Sequence, residues 1–309
     1  MSSSNPAASA ALIAAISQMP PEWALTPCVY KQNKWTGWNK ERLDRETLIT
    51  AVRSQTNNEG KHTAWTGVSL VTGPLSGGVM AIDFDGEAAL PKYLELSGGV
   101  ALPLTRMWTS GKPGHFQILL RVPQAQWSDL KPLKFHILNS KLREGLSQEE
   151  LAVLIGEGVR PKQIADWESG SLQPIPPAIG KKLAEIFGLD GSDPTEKLEF
   201  RWNQCSTLPP SIHPDTKASY YWENWDENYD WGNWEEFVPI APDWVINLMR
   251  GTQQPPATVK QQPQYRQSER QISEILEQDI LPKLDAESFY GERVKLKKVG
   301  NNLVGLCPL

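Results

Sequence analysis

Three segments of the chain alternate apolar and polar residues with a period of two, which is typical of strands that bury one face. In the first, residues 79–85, alternation sends Asp83 and Asp85 to the same side. The apolar residues of this segment fall on the other side: Met80, Ile82 and Phe84. Two carboxylates are therefore predicted to project together from one strand.

The second and third segments follow the same rule. Residues 115–122 place His115, Gln117 and Arg121 on one face, and residues 198–202 do the same for Glu199 and Arg201. The opposite, apolar faces consist of Phe116, Ile118, Leu120 and Val122 in one segment and Leu198, Phe200 and Trp202 in the other. Three strands are therefore predicted to share one polar face.

Between the second and third segments, residues 138–191 change to a helical pattern. Ser147 and Glu150 have the spacing of a capping box ahead of an apolar run. A second helix is expected from Pro161 to Gly170 and a third over residues 179–187. The predicted fold class is α/β in the broad sense (α+β), with an all-α lobe inserted into the sheet domain.

The remaining segments complete the predicted domain organisation. Residues 1–18 are interpreted as an N-terminal tail, and residues 19–137 and 192–250 as the sheet domain around the insert. The Gln- and Pro-rich residues 251–268 are typical of a linker. A helix and a basic strand are expected within residues 269–309.

The composition of the chain limits which molecules it is expected to bind. The net charge of −5 argues against a generally basic nucleic-acid-binding surface, so any DNA contact must be local. The three cysteines are far apart and no secretory signal or membrane span is evident, which favours a cytoplasmic protein without a membrane partner. The acidic, tryptophan-rich segment 222–236 is expected to pack onto the domain rather than to stack nucleobases.

The polar face carries candidate metal chemistry. An Asp-x-Asp pair on a strand directs two hard oxygen ligands to one point, as Mg²⁺ requires. By itself the pair is weak evidence, because such motifs are common in solvated turns. Glu199 adds a third carboxylate, and the neighbouring Arg201 suits triphosphate oxygens.

Several of these motifs resemble a known family in their order along the chain. Residues 71–79 followed by Asp83 and Asp85 look like the first motif of the bifunctional primase-polymerase domain of the archaeo-eukaryotic primase superfamily. Residues 110–115 resemble its second motif, a Ser-Gly loop leading to a histidine. Residues 198–201 and 208–216 resemble its third region.

The resemblance implies a palm-like mixed sheet whose Asp83, Asp85 and Glu199 bind Mg²⁺ or Mn²⁺. It also makes His115 a catalytic residue. The residues expected to engage the incoming nucleotide are Arg201, Ser110, Ser211, His213 and Lys34. For His213, a turn-capping role is the alternative, and residues 112–114 depart from the family's tighter glycine-rich loop.

Residues 147–170 resemble the helix-turn-helix of lambda-repressor-like regulators, in which the second helix enters the major groove. Arg160, Lys162 and Gln163 would then face duplex DNA. Against this, residues 138–191 contain six Lys and Arg but eight Asp and Glu. A structural or protein-docking role of the insert therefore remains open.

The end of the chain, residues 294–308, resembles the start of the zinc ribbon of DnaG-type primases. Cys307 would be its first Zn²⁺ ligand, and the further ligands would lie in a longer protein.

The leading hypothesis is a primase/polymerase that copies a single-stranded DNA template from NTPs or dNTPs in plasmid or mobile-element replication, with a helicase as a further domain or partner. The first alternative is a non-catalytic replication-initiation or regulatory protein that binds DNA through the helix-turn-helix. A nucleotide hydrolase using the same metals is the second alternative.

Overall fold

The structure is a computed structural model that describes residues 6–189, 193–223, 231–252, 297–299 and 302–304. The chain divides into two compact units, residues 1–257 and 258–309. In chain order, the elements described in the first unit are α1 (Pro6–Gln18), β1 (Leu25–Val29), β2 (Gln32–Asn33), α2 (Arg45–Ser54), β3 (Gly67–Val71), β4 (Val79–Asp85), α3 (Ala89–Leu96), β5 (Met107–Thr109), β6 (His115–Arg121), β7 (Leu133–Leu138), α4 (Gln148–Ile155), α5 (Pro161–Glu168), α6 (Pro177–Ile186), β8 (Thr195–Arg201), β9 (Cys205–Leu208), β10 (Tyr221–Trp222) and α7 (Asp243–Arg250).

Two sheets build the first unit. The larger has the strand order β10-β5-β6-β4-β8-β7, and the smaller has the order β2-β1-β3-β9. The α+β class is confirmed, and the three strands predicted to share a polar face are adjacent as β6-β4-β8. The prediction of a mixed sheet is wrong: all ladders described in both sheets are antiparallel, which short connections such as residues 110–114 between the paired strands β5 and β6 permit.

The larger sheet is covered on both faces. The predicted apolar face of β4, β6 and β8 packs with α3 and α7 in one core, in which Ile82 and Phe200 are fully buried. The first residues of β4 on the opposite face, Val79 and Ala81, join a second core with α1, α2 and the smaller sheet. This second core ends where Asp83 begins the polar part of the strand.

Helix α1 corrects the prediction of an N-terminal tail. Its residues Leu12 and Ile16 are buried and pack in the same core as Trp23. The sequence lacks a wide apolar stripe here because the helix is rich in alanine, whose small side chain fits a close-packed interface without marking a face. Residues 6–18 are therefore part of the sheet domain.

The segment between β7 and β8 contains the three expected helices. The capping box of Ser147 and Glu150 is present at the start of α4, and α5 begins at Pro161 as predicted. Helices α4, α5 and α6 bury Leu151, Ile164 and Leu183 in a core of their own, which also includes Leu138 of β7.

In the second unit, β11 (Lys297–Val299) pairs antiparallel with β12 (Asn302–Val304). The predicted linker lies outside the described residues apart from its first two positions, 251 and 252. The helix predicted from about Ser268 to Leu284 also lies outside them, as does Cys307. Among the helices that the structure describes, none combines the length and the apolar character needed to cross a lipid bilayer.

Candidate active site

A polar cleft of about 370 Å³ opens over the centre of the larger sheet. Its walls come from β4, β6, β7 and β8, from β5 and the loop after it, and from residues 207–220. Seven of the predicted site residues line it: Asp83, Asp85, Ser110, His115, Glu199, Arg201 and His213. The sequence therefore identified residues that are distant along the chain and meet at one place.

The strand register explains why these side chains meet. Asp83 lies opposite Glu199 of β8 on one side and Gln117 of β6 on the other. Asp85 lies opposite His115. Because directly opposed residues in antiparallel strands point to the same face of the sheet, all five side chains enter the cleft.

Asp85 and His115 form a close pair, with 2.8 Å between Asp85 Oδ1 and His115 Nδ1. The hydrogen bond from His115 lowers the pKa of Asp85 to about 2, against the opposing effect of partial burial. Asp85 is therefore ionised at neutral pH, and the bond fixes the orientation of the imidazole.

Arg201 is the most heavily engaged cation of the cleft. Its Nη2 lies 2.5 Å from Asp83 Oδ2 and 3.3 Å from Glu199 Oε2, and its Nη1 donates to the carbonyl of Cys205. Burial raises the pKa of Asp83; Arg201 opposes that rise, while the charges of Glu199 and Asp85 add to it. The structure thus places Arg201 against carboxylates, whereas the sequence assigned it to the triphosphate.

Ser110 reaches the cleft through a loop that packs tightly on the turn after β4. Gly86 donates a backbone hydrogen bond to the carbonyl of Gly114, at 3.2 Å. A Cβ on Gly114 would lie 2.6 Å from the backbone nitrogen of Glu87, and Gly114 has a positive φ of 71°. Residues 112–114 therefore make a close approach despite their departure from the family's loop pattern, and only glycine fits at the contact.

His213 combines the two roles between which the sequence did not decide. Its Nδ1 accepts hydrogen bonds from the backbone N–H groups of Asp215 and Thr216, at 3.2 and 3.3 Å. The ring also lines the cleft, and it is 3% exposed. Burial lowers the pKa of His213, and the nearby Lys31 and Lys112 lower it further. A neutral imidazole with its proton on Nε2 satisfies all of these observations.

Two predicted nucleotide-binding residues lie away from the cleft. Ser211 is fully buried; its hydroxyl donates to the carbonyl of Val68 and accepts from the N–H of Val68, so it joins the segment after β9 to β3. Lys34 lines a different groove, beside Trp38. Lys31, three residues earlier, lines the cleft instead.

The sequence analysis placed Gln117 on the polar face without assigning it a role, and it missed two lysines of the cleft. Lys134 lies opposite Glu199 in the β7–β8 ladder and contacts it at 2.7 Å. Lys197 is two residues before Glu199 on the same face of β8, and Gln117 has a buried Oε1 without a hydrogen-bond partner among the described residues. Extending the period-two pattern back to Lys197, and applying it to residues 133–138, would have found both lysines.

The predicted DNA-facing residues of the insert lie at the start of α5. The side chain of Gln163 accepts a hydrogen bond from the N–H of Arg160, and Lys162 contacts Asp166 at 3.1 Å. Gln163 thus caps its own helix. These contacts leave the two predictions for the insert, DNA contact and protein docking, undecided.

The packing predicted for the tryptophan-rich segment is confirmed where the structure describes it. Trp234 packs edge-on against Trp23, with 5.7 Å between ring centroids, and Trp222 packs against Trp108 at 5.3 Å. These rings are therefore part of the domain's packing.

One face of an antiparallel sheet carries three carboxylates and the cations Lys134, Lys197 and Arg201, and Lys31 of the β1–β2 turn completes the cleft. This arrangement fits the class of nucleotidyltransferases. The chain matches the sequence profile of the Prim-Pol family, the N-terminal domain of bifunctional DNA primase/polymerases, over residues 15–244, and it belongs to that family. Membership implies DNA primase/polymerase chemistry. Neither the curated proteins nor the solved structures contain a significant match to the chain.

Proposed function

We propose that this chain is a metal-dependent DNA primase/polymerase that adds nucleotides to a primer end, or to an initiating nucleotide, on a single-stranded DNA template. The observation that carries the proposal is the register of the central ladder: Asp83 opposes Glu199, and Asp85 opposes His115, on one face of the sheet. NTPs or dNTPs are the substrates of this chemistry.

The donor atoms fit a hard divalent cation. Asp83, Asp85 and Glu199 offer carboxylate oxygens, and the unpartnered Oε1 of Gln117 offers a carbonyl oxygen beside them. Burial raises the pKa of Asp83, and the charges of Glu199 and Asp85 raise it further; a bound cation would offset both effects. Among the described residues, however, no three acidic, histidine or cysteine side chains are arranged as a ready-made metal site.

The three carboxylates are the residues that would hold Mg²⁺ or Mn²⁺, with substrate phosphates supplying further oxygens. When bound, the metal would lower the pKa of the attacking hydroxyl and neutralise developing charge on the phosphates. Because His115, Lys134 and Arg201 already contact Asp85, Glu199 and Asp83 respectively, the protein orients the three carboxylates before the substrate arrives.

The chain's own cations and histidines supply the rest of the proposed chemistry. Lys31 has no carboxylate partner among the described residues and lines the cleft, so it is available to a phosphate. His213, with its Nδ1 committed to backbone N–H groups, can donate one hydrogen bond from Nε2 to a phosphate oxygen. His115 is held by Asp85 and can exchange a proton at its other ring nitrogen.

A primer-free synthesis assay on single-stranded DNA, with labelled nucleotides and Mg²⁺ or Mn²⁺, tests the proposal. We expect oligonucleotide products that disappear with chelator and in the Asp85→Asn variant. Release of phosphate or pyrophosphate without a polymer would support a nucleotide hydrolase. No turnover, together with site-specific duplex binding, would support a non-catalytic initiation protein.

A further inference from the structure

A second groove, of about 690 Å³, borders the hairpin of β1 and β2. We call it the Trp38 groove. Its floor includes Trp38, and its rim carries Lys34 and, from a loop after α2, Asn57, Lys61 and His62. The reaction proposed above uses none of these side chains.

Hydrogen bonds hold the two sides of the Trp38 groove together. The backbone N–H of Thr36 donates to the side chain of Asn58 at 3.1 Å, and the Asn58 amide donates back to the Thr36 carbonyl at 2.8 Å. The Asn57 amide donates to the Lys34 carbonyl. Trp35 packs into the core against Trp65. The groove is therefore a fixed feature of the fold.

The charge of this region is opposite to that of the whole chain. Residues 31–62 contain seven Lys and Arg against four Asp and Glu, whereas the whole chain has a net charge of −5. The Lys61 ammonium contacts Glu59 at 2.7 Å, but Lys34 is exposed and has no ion pair among the described residues. Lys34 is thus free to contact an anion at the rim of the groove.

An aromatic side chain beside a free cation is a combination that binds single-stranded nucleic acid, because a base stacks on the ring and a phosphate contacts the cation. Trp38 is half-buried, packing one part of its ring on the core while it lines the groove. Trp222 and Trp234, by contrast, are packed against other tryptophans. Trp38 is therefore better suited to base stacking than the tryptophan-rich segment.

The β1–β2 hairpin connects the Trp38 groove to the active-site cleft. Lys31, in the hairpin turn, lines the cleft, while Asn33 and Lys34, two and three residues later, line the groove. A polyanion that leaves the cleft across this hairpin would meet Lys31 and then Lys34. The two sites are therefore suited to one continuous strand.

We propose that the Trp38 groove binds the single-stranded DNA template next to the active site, with a base on Trp38 and a phosphate at Lys34. That the strand is a template rests on the proposed function. Binding of single-stranded DNA in the groove does not, because it requires neither metal nor nucleotide. An experiment can therefore contradict DNA binding in the groove without contradicting DNA synthesis in the cleft, and the reverse.

Fluorescence anisotropy of a labelled oligothymidylate, in chelator and without nucleotide, is the direct test. We expect Lys34→Ala to weaken binding about 3- to 10-fold and to reduce the slope of log K against log salt by about 0.7. Lys34→Arg should bind like the unmodified protein. Lys131→Ala, an exposed lysine outside both cavities, is the matched control and should leave binding unchanged.

Trp38 is tested by two substitutions. Trp38→Leu should weaken oligothymidylate binding about 5- to 100-fold, since it removes a stacking surface, and Trp38→Phe should retain most of the affinity. Because Trp38 also packs on the core, Trp38→Leu could unfold the protein. In that case the affinities of Lys34→Ala and Trp38→Phe decide whether the groove binds the oligonucleotide.

Equal affinities of Lys34→Ala and Lys131→Ala would overturn the proposal. The proposal would also be overturned if Lys34→Ala left the oligonucleotide Kd unchanged but raised the KM for the nucleotide in primer extension. The groove would then bind the incoming nucleotide. If Lys34→Ala weakens oligonucleotide binding but the protein synthesises no DNA, the groove binds single-stranded DNA and the proposed function is contradicted.

Discussion

At the scale of single residues, Arg201 explains how Asp83 and Glu199 coexist as neighbours on one sheet face. Asp83 and Glu199 are opposed in the ladder and only 14% and 11% exposed, so without a cation they would repel each other at close range. The guanidinium contacts both. The position of Arg201 could be predicted from alternation, but its partners depended on a register that only the folded sheet shows.

Arg201→Met should destabilise the protein by about 3–5 kcal/mol, because it leaves the buried carboxylate of Asp83 without its cation partner. We further expect Mn²⁺ to raise the Tm of this variant more than that of the unmodified protein, since the cation replaces the lost charge. Arg121→Met removes a pair with the exposed Glu235 and should cost about 0.2–1 kcal/mol. Thermal unfolding with and without Mn²⁺ measures both effects, and equal Mn²⁺ shifts would contradict the metal assignment.

Asp83→Asn and Asp85→Asn should each reduce nucleotide incorporation to background while the far-ultraviolet circular dichroism stays unchanged. The amide keeps the size of the side chain but loses the charge that a divalent cation needs. Asp166→Asn, on the exposed face of α5, is the control and should remain active. Normal incorporation by both cleft variants would exclude these carboxylates from the chemistry.

His213 should make stability sensitive to mild acid. Its folded-state pKa is lowered, so the unfolded chain binds more protons as the pH falls below the unfolded value of about 6.5, and stability decreases there. His213→Asn should reduce the stability lost between pH 7.5 and 5.5 in urea unfolding. His62→Asn, at an exposed position, should leave that loss unchanged. An unaltered pH dependence in His213→Asn would contradict this role.

At the scale of elements, strands were predictable where one face is buried and the other functional. The bounds of β4 and the polar faces of β6 and β8 follow from alternation, because a one-residue shift would bury the aspartates. Short connections were less predictable. Lys31 lies in the turn before β2 and Lys34 directly after β2, so two lysines three residues apart line different cavities.

The inserted helices should be removable. Leu138 and Thr195 are partners in the β7–β8 ladder, so the ends of the insert already lie together. Replacing residues 145–188 with a short Gly/Ser linker should keep primer extension within about twofold, because loop closure costs change slowly with length. Loss of extension in a folded deletion protein would show that the insert completes the active site.

The same deletion also tests the helix-turn-helix prediction. If Arg160 and Lys162 contact phosphates, duplex affinity should fall and its salt dependence should become shallower. Unchanged duplex affinity would favour protein docking as the function of the insert.

At the scale of the whole molecule, the distribution of charge matters more than its sum. A net charge of −5 would exclude nucleic acid if it were uniform, yet four cations meet at the cleft and residues 31–62 are locally basic. The net charge and the motifs that supply the cleft residues could be read from the sequence. The sequence could not show that α1 packs beneath the smaller sheet, or that Lys31 of the β1–β2 turn reaches the cleft, because such contacts join segments far apart along the chain.

Single-nucleotide primer extension opposite each of the four template bases tests the central claim most directly. The chain, supplied with Mg²⁺ or Mn²⁺ and one nucleotide at a time, should extend a primer only with the nucleotide complementary to the template base. Incorporation that ignores the template base, or nucleotide cleavage without primer extension, would contradict the assignment of this cleft to template-directed DNA synthesis.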